Sequence, residues 1–287
     1  MRQIYSDVIA ADVVAAHLGD PDWVVLDCRF VLTDPLAGRT AYDMAHLPGA
    51  YYADLGRHWS GVVTPHSGRH PLPDWRQLAR SLGEWGVSPQ SQVVLYDDAA
   101  GTIAARGWWL LHEVLAHRAV AVVDGGWQSW CAKGYPVTDE CPPILADAVY
   151  PVLPRPTAWW ETAAVATALR EQRIVVLDAR APERYRGEKE PIDSVAGHIP
   201  GARNWPYSRN LTEQGFFRDA TAWREEFLAF LEATPPAWVV HQCGSGVTAC
   251  HNLLAMTRAG LLGSKLYVGS WSEWIRDPAR PVARGAD

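Results

Sequence analysis

The sequence repeats itself once, and this duplication limits the chain to a fold built from two similar halves. Four short blocks recur in the same order in both halves: Asp-x-Arg at 27–29 and 178–180, His-x-Pro-Gly-Ala at 46–50 and 198–202, an apolar run at 93–96 and 239–242, and a turn ending in tryptophan at 123–127 and 268–271. The two copies of each block lie about 150 residues apart. Such regular spacing indicates a duplicated domain.

Each half alternates short apolar runs with longer segments of helical character. The runs at 24–26, 93–95 and 120–123 contain only Val, Leu and Ala, which predicts strands that are buried on both faces. Strands of this kind belong to parallel sheets covered by helices. Helices are expected at about 99–114, 221–232 and 247–259. The predicted fold is therefore α/β, with two tandem domains, each a mostly parallel sheet flanked by helices on both faces.

A proline-rich stretch separates the two halves. Between residues 141 and 159 the chain carries prolines at positions 142, 143, 151, 154 and 156. Proline interrupts regular pairing and stiffens a connecting segment. We predict an N-terminal domain at 1–140, a linker at 141–159 and a C-terminal domain at 160–287.

The composition of the 287-residue chain excludes several classes of partner. Hydrophobic residues make up 48% and charged residues 20%, with a net charge of −6, so no nucleic acid or anionic membrane surface is expected to bind. No apolar run reaches the roughly 18 residues of a membrane span, and no secretory leader is visible. The odd number of cysteines, five, favours reduced thiols and a cytoplasmic protein.

Cys243 is the strongest candidate for a reactive residue. It follows an apolar strand and precedes the loop Gly-Ser-Gly-Val-Thr at 244–248, after which a helix is expected. Gly244 and Gly246 permit a tight turn. The backbone N–H groups of such a loop, together with the positive end of the helix, stabilise an anion and favour the thiolate of Cys243. The alternative is an inert core cysteine, but the loop and helix favour a nucleophile.

The duplicated blocks, this loop and the Gly-Ser-Trp-Ser-Glu-Trp run at 269–274 together resemble the two-domain rhodanese-type sulfurtransferases. The resemblance extends from about residue 13 to residue 274. The loop Cys-Gly-Ser-Gly-Val-Thr is similar to the 3-mercaptopyruvate type, whereas thiosulfate-preferring members usually show Cys-Arg-Lys-Gly-Val-Thr. Each half is thus expected to be a rhodanese-like domain. Only the second is expected to be catalytic, because Asp97 occupies the cysteine position in the first.

The resemblance implies a covalent reaction in two halves. A small-molecule donor gives its sulfane sulfur to Cys243, and the resulting persulfide passes it to a thiol or to cyanide. Thioredoxin and low-molecular-weight thiols are the expected acceptors, and no metal or other cofactor is required. The loop residues expected to bind the substrate and the persulfide are Gly244, Gly246, Val247 and Thr248.

Ser245 and His70 are implied to move a proton in this reaction. The hydroxyl of Ser245 would pass a proton to the donor or its leaving group, working with a histidine supplied by the first half, which also covers the site. The matching histidine is His70. The family pairs these two with an acid whose position falls near Gly56, and Asp54 is the nearest carboxylate in this sequence.

Arginines are expected to bind the carboxylate of the donor, because a planar guanidinium matches a carboxylate. Arg184 falls where the family places its substrate-binding arginine, and Arg186 and Arg69 are further candidates. Mercaptopyruvate enzymes commonly carry a second arginine a few residues later. Asp193 stands at about that place here.

Three other interpretations remain open. The chain is a thiosulfate sulfurtransferase if cations outside the loop select the donor. It is a persulfide carrier if it serves one partner protein. A cysteine-loop phosphatase is disfavoured, since that class needs an arginine where Ala249 and Cys250 stand. The cysteines other than Cys243 are expected to be structural, with Cys250 a remote candidate for redox pairing.

Overall fold

A computed structural model describes residues 3–145, 148–232 and 234–286 of the chain. The chain divides into two compact units. Unit 1 comprises Met1–Gly61, Leu72–Arg155 and Gly215–Phe217, and unit 2 comprises Val62–Pro71, Pro156–Gln214 and Arg218–Asp287. Among the described residues, no helix has both the length and the apolar character needed to cross a membrane.

Unit 1 is a parallel sheet with the strand order β1-β5-β4-β2-β3. Its elements, in chain order, are β1 (Val8–Ile9), α1 (Ala11–Ala16), β2 (Trp23–Asp27), α2 (Ala37–Met44), β3 (Tyr51–Tyr52), α3 (Trp75–Glu84), β4 (Gln92–Tyr96), α4 (Ala104–Trp109) with a π-helical continuation (Leu110–Val114), β5 (Val120–Val123) and α5 (Gly126–Ala132). Every residue of β4 and β5 is buried, as expected for strands covered on both faces.

Unit 2 repeats this topology with the strand order β6-β10-β9-β7-β8, again parallel. Its elements are a 3₁₀ turn (Pro156–Ala158), β6 (Trp159–Trp160), α6 (Thr162–Arg170), β7 (Val175–Asp178), α7 (Pro182–Tyr185), β8 (Arg203–Asn204), a 3₁₀ turn (Tyr207–Asn210), α8 (Ala220–Leu231), a 3₁₀ turn (Pro236–Trp238), β9 (Val239–Gln242), α9 (Ala249–Arg258), β10 (Lys265–Tyr267) and α10 (Ser270–Trp274). The central strand β9 leads directly to Cys243.

The predicted α/β fold with two parallel sheets is confirmed, and the predicted strands lie within β2, β4 and β5. The chain passes from unit 1 to unit 2 at residues 155–156, inside the proline-rich stretch. Two helices begin later than predicted. α9 starts at residue 249 because the loop after Cys243 occupies the preceding positions. α4 starts at residue 104 instead of 99 because the Asp97 carboxylate accepts backbone N–H groups from the residues before it.

The duplicated Asp-x-Arg block is a structural clamp in both units. In unit 2, the guanidinium of Arg180 donates to the carboxylate of Asp178 at 2.7 Å and to the carbonyl of Gly197 at 2.8 Å, and it lies over the ring of Trp271. In unit 1, Arg29 makes the equivalent contacts with the carboxylate of Asp27, the carbonyl of Ala45 and the ring of Trp127. Each clamp ties the end of an inner strand, β2 or β7, to the turn before the His-x-Pro-Gly-Ala block.

The histidine of that second block is likewise structural. His198 is fully buried, its ring stacks on Tyr185 at 3.8 Å between centroids, and its Nδ1 lies 2.8 Å from the Tyr185 carbonyl oxygen. His46 repeats these contacts with Tyr42. The Asp-x-Arg and His-x-Pro-Gly-Ala motifs, which help to reveal the duplication, therefore build the frame of each unit.

Candidate active site

Cys243 stands at the carboxyl end of β9, the position where parallel α/β sheets bind ligands. Its side chain is buried, with 3% of the residue exposed. The backbone is held on both sides: the Cys243 N–H donates to Oγ of Ser270 at 3.2 Å, and the carbonyl accepts from the N–H of Trp271 at 3.0 Å. These contacts fix the cysteine against the first turn of α10.

The loop after Cys243 depends on its two glycines. Gly246 has a φ angle of +75°, and a Cβ there would lie 2.5 Å from the carbonyl oxygen of Val268, so no other residue fits. A Cβ on Gly244 would lie 2.9 Å from Nη2 of Arg69 and 3.7 Å from Nη2 of Arg184. The loop therefore places two guanidinium groups beside the residue that follows the nucleophile.

Ser245 and His70, both predicted site residues, are in contact. Oγ of Ser245 lies 2.8 Å from Nδ1 of His70, and both residues are buried. His70 comes from the first half of the sequence, as expected, but its segment Val62–Pro71 packs within unit 2. Two backbone contacts hold that segment against α10: the N–H of Gly68 donates to Glu273 at 3.2 Å, and the N–H of Arg69 donates to Oγ of Ser272 at 3.1 Å.

Arg184 and Arg69 are joined by a buried carboxylate. One oxygen of Asp193 accepts from Arg69, and the other accepts from Nη2 of Arg184 at 3.1 Å. Arg184 also donates to Glu190 at 2.8 Å. Burial opposes ionisation of Glu190, but the hydrogen bonds from Arg184 and from two backbone N–H groups outweigh it and lower the pKa of this carboxyl. The structure thus assembles two cations and two anions next to Gly244.

The remaining predicted site residues lie elsewhere. Arg186 follows the end of α7, and its guanidinium pairs with the exposed Glu188 at 2.7 Å. Asp54 belongs to unit 1, where its carboxylate accepts from the N–H of Arg57 at 2.7 Å and from the hydroxyl of Tyr52 at 3.3 Å. All five cysteines are free thiols, and Cys250 donates from Sγ to the carbonyl of Gly246 at 3.3 Å.

Unit 1 shows what a loop of this type can bind. Asp97 directly follows β4 as Cys243 directly follows β9, and its carboxylate accepts four backbone N–H groups at 2.8–2.9 Å, from Ala99, Gly101, Ile103 and Ala104. These bonds hold residues 99–103 in a loop and delay the start of α4. In unit 1, the loop that follows the central strand is therefore an anion-binding cradle that its own carboxylate fills.

Three residues contribute to the site although the sequence predicted no role for them. These are Asp193 and Glu190, which bind the arginines, and Ser270, whose hydroxyl accepts the Cys243 N–H. The duplication could have pointed to Ser270, because this serine replaces a glycine, Gly126, at the aligned position of unit 1. No comparable sequence pattern indicates that Asp193 contacts the two arginines.

Comparison with known proteins gives a consistent result. The rhodanese-like domain model matches residues 10–133 and 161–277. A "Probable 3-mercaptopyruvate sulfurtransferase" of Pseudomonas aeruginosa is 46% identical over 281 residues, covering 98% of this chain and 99% of that protein. The thiosulfate sulfurtransferase of Rattus norvegicus is 31% identical, covering 99% and 96% of the two chains. The solved structure of 3-mercaptopyruvate sulfurtransferase from Leishmania major is similar with a TM-score of 0.82 and 28% identity, over 94% of this chain and 74% of that chain.

Proposed function

Since this chain belongs to the rhodanese-like family, with one family domain in each half, we propose that it is a sulfurtransferase that takes sulfur from 3-mercaptopyruvate and carries it as a persulfide on Cys243. One observation supports this most directly. The buried Cys243 directly follows the central strand of unit 2 and precedes a glycine loop that lies against two guanidinium groups. A sulfur there lies at the end of a parallel sheet where ligands bind, beside side chains that can bind the carboxylate of a donor.

The duplicated unit supports the assignment of the loop. In unit 1 the corresponding loop surrounds the carboxylate of Asp97 with four N–H donors. In unit 2 the group at that position is the sulfur of Cys243, and the backbone from Gly244 to Thr248 supplies the donors for a thiolate or persulfide. Negative charge is thereby stabilised by the chain itself.

The first half-reaction is a displacement at sulfur. The Cys243 thiolate attacks the sulfur of 3-mercaptopyruvate, an S–S bond forms, and the C–S bond breaks. The carbon leaves with its electron pair as the enolate of pyruvate, and the proton of the donor thiol ends on that carbon. The products are the Cys243 persulfide and pyruvate. Arg184 and Arg69 bind the carboxylate of the donor, because both guanidinium groups lie beside Gly244.

Ser245 and His70 supply the path for this proton. With the histidine proton on Nε2, the hydroxyl of Ser245 donates to Nδ1 across the 2.8 Å contact. The hydroxyl can then accept the proton of the donor thiol or deliver one to the enolate carbon while His70 takes up or returns it. Both residues are buried, which keeps bulk water from competing for the proton.

The second half-reaction returns the enzyme to its thiolate form. A thiol or cyanide attacks the outer sulfur of the persulfide, the S–S bond breaks, and its electron pair stays on Cys243. We propose thioredoxin or a low-molecular-weight thiol as the acceptor. A cytoplasmic location agrees with five cysteines that form no disulfide with one another, since disulfides persist mainly in oxidising compartments.

Thiosulfate is the second candidate donor, because the rat thiosulfate sulfurtransferase is similar over nearly the full chain. The test is kcat/KM for 3-mercaptopyruvate and for thiosulfate, with cyanide as the common acceptor, in wild type and Cys243→Ala. We expect mercaptopyruvate to be preferred and the variant to lose turnover of both donors. Turnover that survives in Cys243→Ala would assign the nucleophile elsewhere, and a stable Cys243 persulfide that cyanide fails to discharge would favour a carrier for one partner protein.

A further inference from the structure

The charges beside Gly244 balance, and the balance depends on one buried carboxylate. Arg69 and Arg184 contribute two positive charges, and Asp193 and Glu190 two negative charges, with the side chains of both acids at most 3% exposed. Arg180 also approaches Glu190, at 3.5 Å, but it is matched by its clamp partner Asp178. We call Arg69, Arg184, Asp193 and Glu190 the charge array.

Asp193 occupies the centre of the charge array. Each of its oxygens binds a different arginine, so the two guanidinium groups are held at a fixed separation. Arg69 keeps unused capacity: within the described residues, its Nε is buried and has no hydrogen-bond partner, while its Nη2 faces Gly244. A buried donor without a partner favours binding of an acceptor such as a donor carboxylate.

We propose that Asp193 is a positioning and specificity-determining residue, which holds Arg69 and Arg184 as a carboxylate clamp and, by neutralising one of their charges, selects a monoanionic sulfur donor over a dianionic one. The inference rests on the proposed function. Mercaptopyruvate carries one carboxylate charge, whereas thiosulfate carries two negative charges. A neutral charge array attracts either donor only weakly at long range. An array with an excess positive charge attracts the dianionic donor more strongly than the monoanionic one.

The glycine after Cys243 belongs to the same arrangement. A Cβ at position 244 would lie 2.9 Å from Nη2 of Arg69, so a larger residue would displace this guanidinium. Gly244 thus lets cations from other segments approach the residue that follows the nucleophile. The site has cationic groups, as a dianion would require, yet Asp193 and Glu190 cancel their net charge.

The experiment is a charge cycle in the full-length enzyme. Asp193→Asn keeps the shape of the side chain and raises the array charge by one, and Arg69→Gln lowers it by one. The double variant restores the balance. The readout is the ratio of kcat/KM for mercaptopyruvate to kcat/KM for thiosulfate. We expect this ratio to fall about tenfold in Asp193→Asn and to rise by a similar factor in Arg69→Gln. The double variant should return towards the wild-type ratio, even if its absolute rates are lower.

The matched control is Glu188→Gln, which changes the charge of the chain by the same amount in an exposed pair with Arg186. Its donor ratio should equal that of wild type. An equal loss for both donors in Asp193→Asn and in Arg69→Gln would overturn the inference, because it would leave the array a purely structural role. If wild type turns over neither donor, the proposed function itself is wrong. If wild type is active and the ratio does not move, only the inference about Asp193 fails.

Discussion

Ser270 and Gly126 occupy equivalent positions in the two units and share one left-handed backbone conformation, with φ angles of 52° and 51°. Each precedes a tryptophan whose backbone N–H donates to the carbonyl of the residue that follows the central strand, at 3.0 Å in unit 2 and 2.8 Å in unit 1. Glycine adopts this conformation without strain, whereas serine does so at a cost of about 1–2 kcal/mol. Unit 2 accepts that cost and gains a hydroxyl that binds the N–H of Cys243.

Two substitutions separate the strain at position 270 from the hydrogen bond. Ser270→Ala and Ser270→Gly both remove the acceptor of the Cys243 N–H and the donor to the Tyr267 carbonyl. Only the glycine variant also removes the backbone strain of the left-handed conformation at position 270. We expect Ser270→Gly to be more stable than Ser270→Ala by about 1 kcal/mol in urea unfolding, while kcat/KM falls about tenfold in both. A glycine variant with wild-type activity would remove Ser270 from the positioning of the nucleophile.

The contact between Ser245 and His70 predicts a donor-dependent defect. Pyruvate leaves as an enolate that needs a proton, whereas sulfite leaves as a stable anion that needs none. Ser245→Ala and His70→Gln should each slow mercaptopyruvate turnover about 100-fold or more. Turnover of thiosulfate should change by no more than about threefold, because it bypasses the proton transfer. The double variant should be no slower than either single variant if the two residues act as one unit. Equal defects for both donors would contradict a proton-transfer role.

The Asp97 cradle predicts the behaviour of a carboxylate at the catalytic position. Cys243→Asp places in unit 2 the group that unit 1 carries, and the loop N–H groups should bind it. We expect this variant to be inactive and more stable than Cys243→Asn by about 1–3 kcal/mol, since hydrogen bonds to a charged acceptor are stronger than those to an amide. The asparagine variant is the matched control, with nearly the same shape and no charge. If Cys243→Asp is the less stable of the two, the loop of unit 2 does not bind anions as that of unit 1 does.

Most of the fold is predictable from the sequence because buried parallel strands leave a continuous apolar signal, and β4 and β5 show it. The start of α4 could not be found in this way. Apolar periodicity begins near residue 99, but the Asp97 carboxylate accepts the N–H groups of residues 99, 101, 103 and 104 and holds residues 99–103 as a loop. A side chain that captures several backbone groups leaves no periodic signature.

Without the family resemblance, which pairs His70 with Ser245, the site is predictable only where its residues are close in sequence. Cys243 and its loop form a local pattern, but Ser245 and His70 are 175 positions apart. The contact of Arg69 with Asp193 requires segment Val62–Pro71 to pack within unit 2, which no local pattern indicates. Arg184 and Arg186 are both candidates from the sequence, but residues two positions apart on a helical turn point in different directions. Only Arg184 reaches Gly244, and Arg186 pairs with Glu188.

His241 lies two positions before the nucleophile and should make unit 2 sensitive to acid. It is fully buried, neither ring nitrogen has a hydrogen-bond partner within the described residues, and burial lowers its pKa from 6.5 to about 3. In the unfolded chain the ring takes up a proton near pH 6.5, whereas in the folded chain it stays neutral to about pH 3. Protonation of His241 therefore costs no stability above pH 6.5. As the pH falls from 6.5 towards 3, it lowers the free energy of unfolding progressively, because only the unfolded chain binds this proton.

The duplication supplies the matched substitution, because unit 1 carries the fully buried Leu95 at the equivalent position of β4. His241→Leu removes the proton linkage and two unsatisfied ring nitrogens. We expect the free energy of unfolding to rise by about 1–3 kcal/mol at pH 7.5. The gain over wild type should grow by about 1.4 kcal/mol per pH unit below pH 6.5, measured by urea unfolding at several pH values. The reciprocal Leu95→His should lower stability and steepen its dependence on pH. Parallel pH profiles for wild type and His241→Leu would show that this ring gains a proton in the folded chain as readily as in the unfolded one.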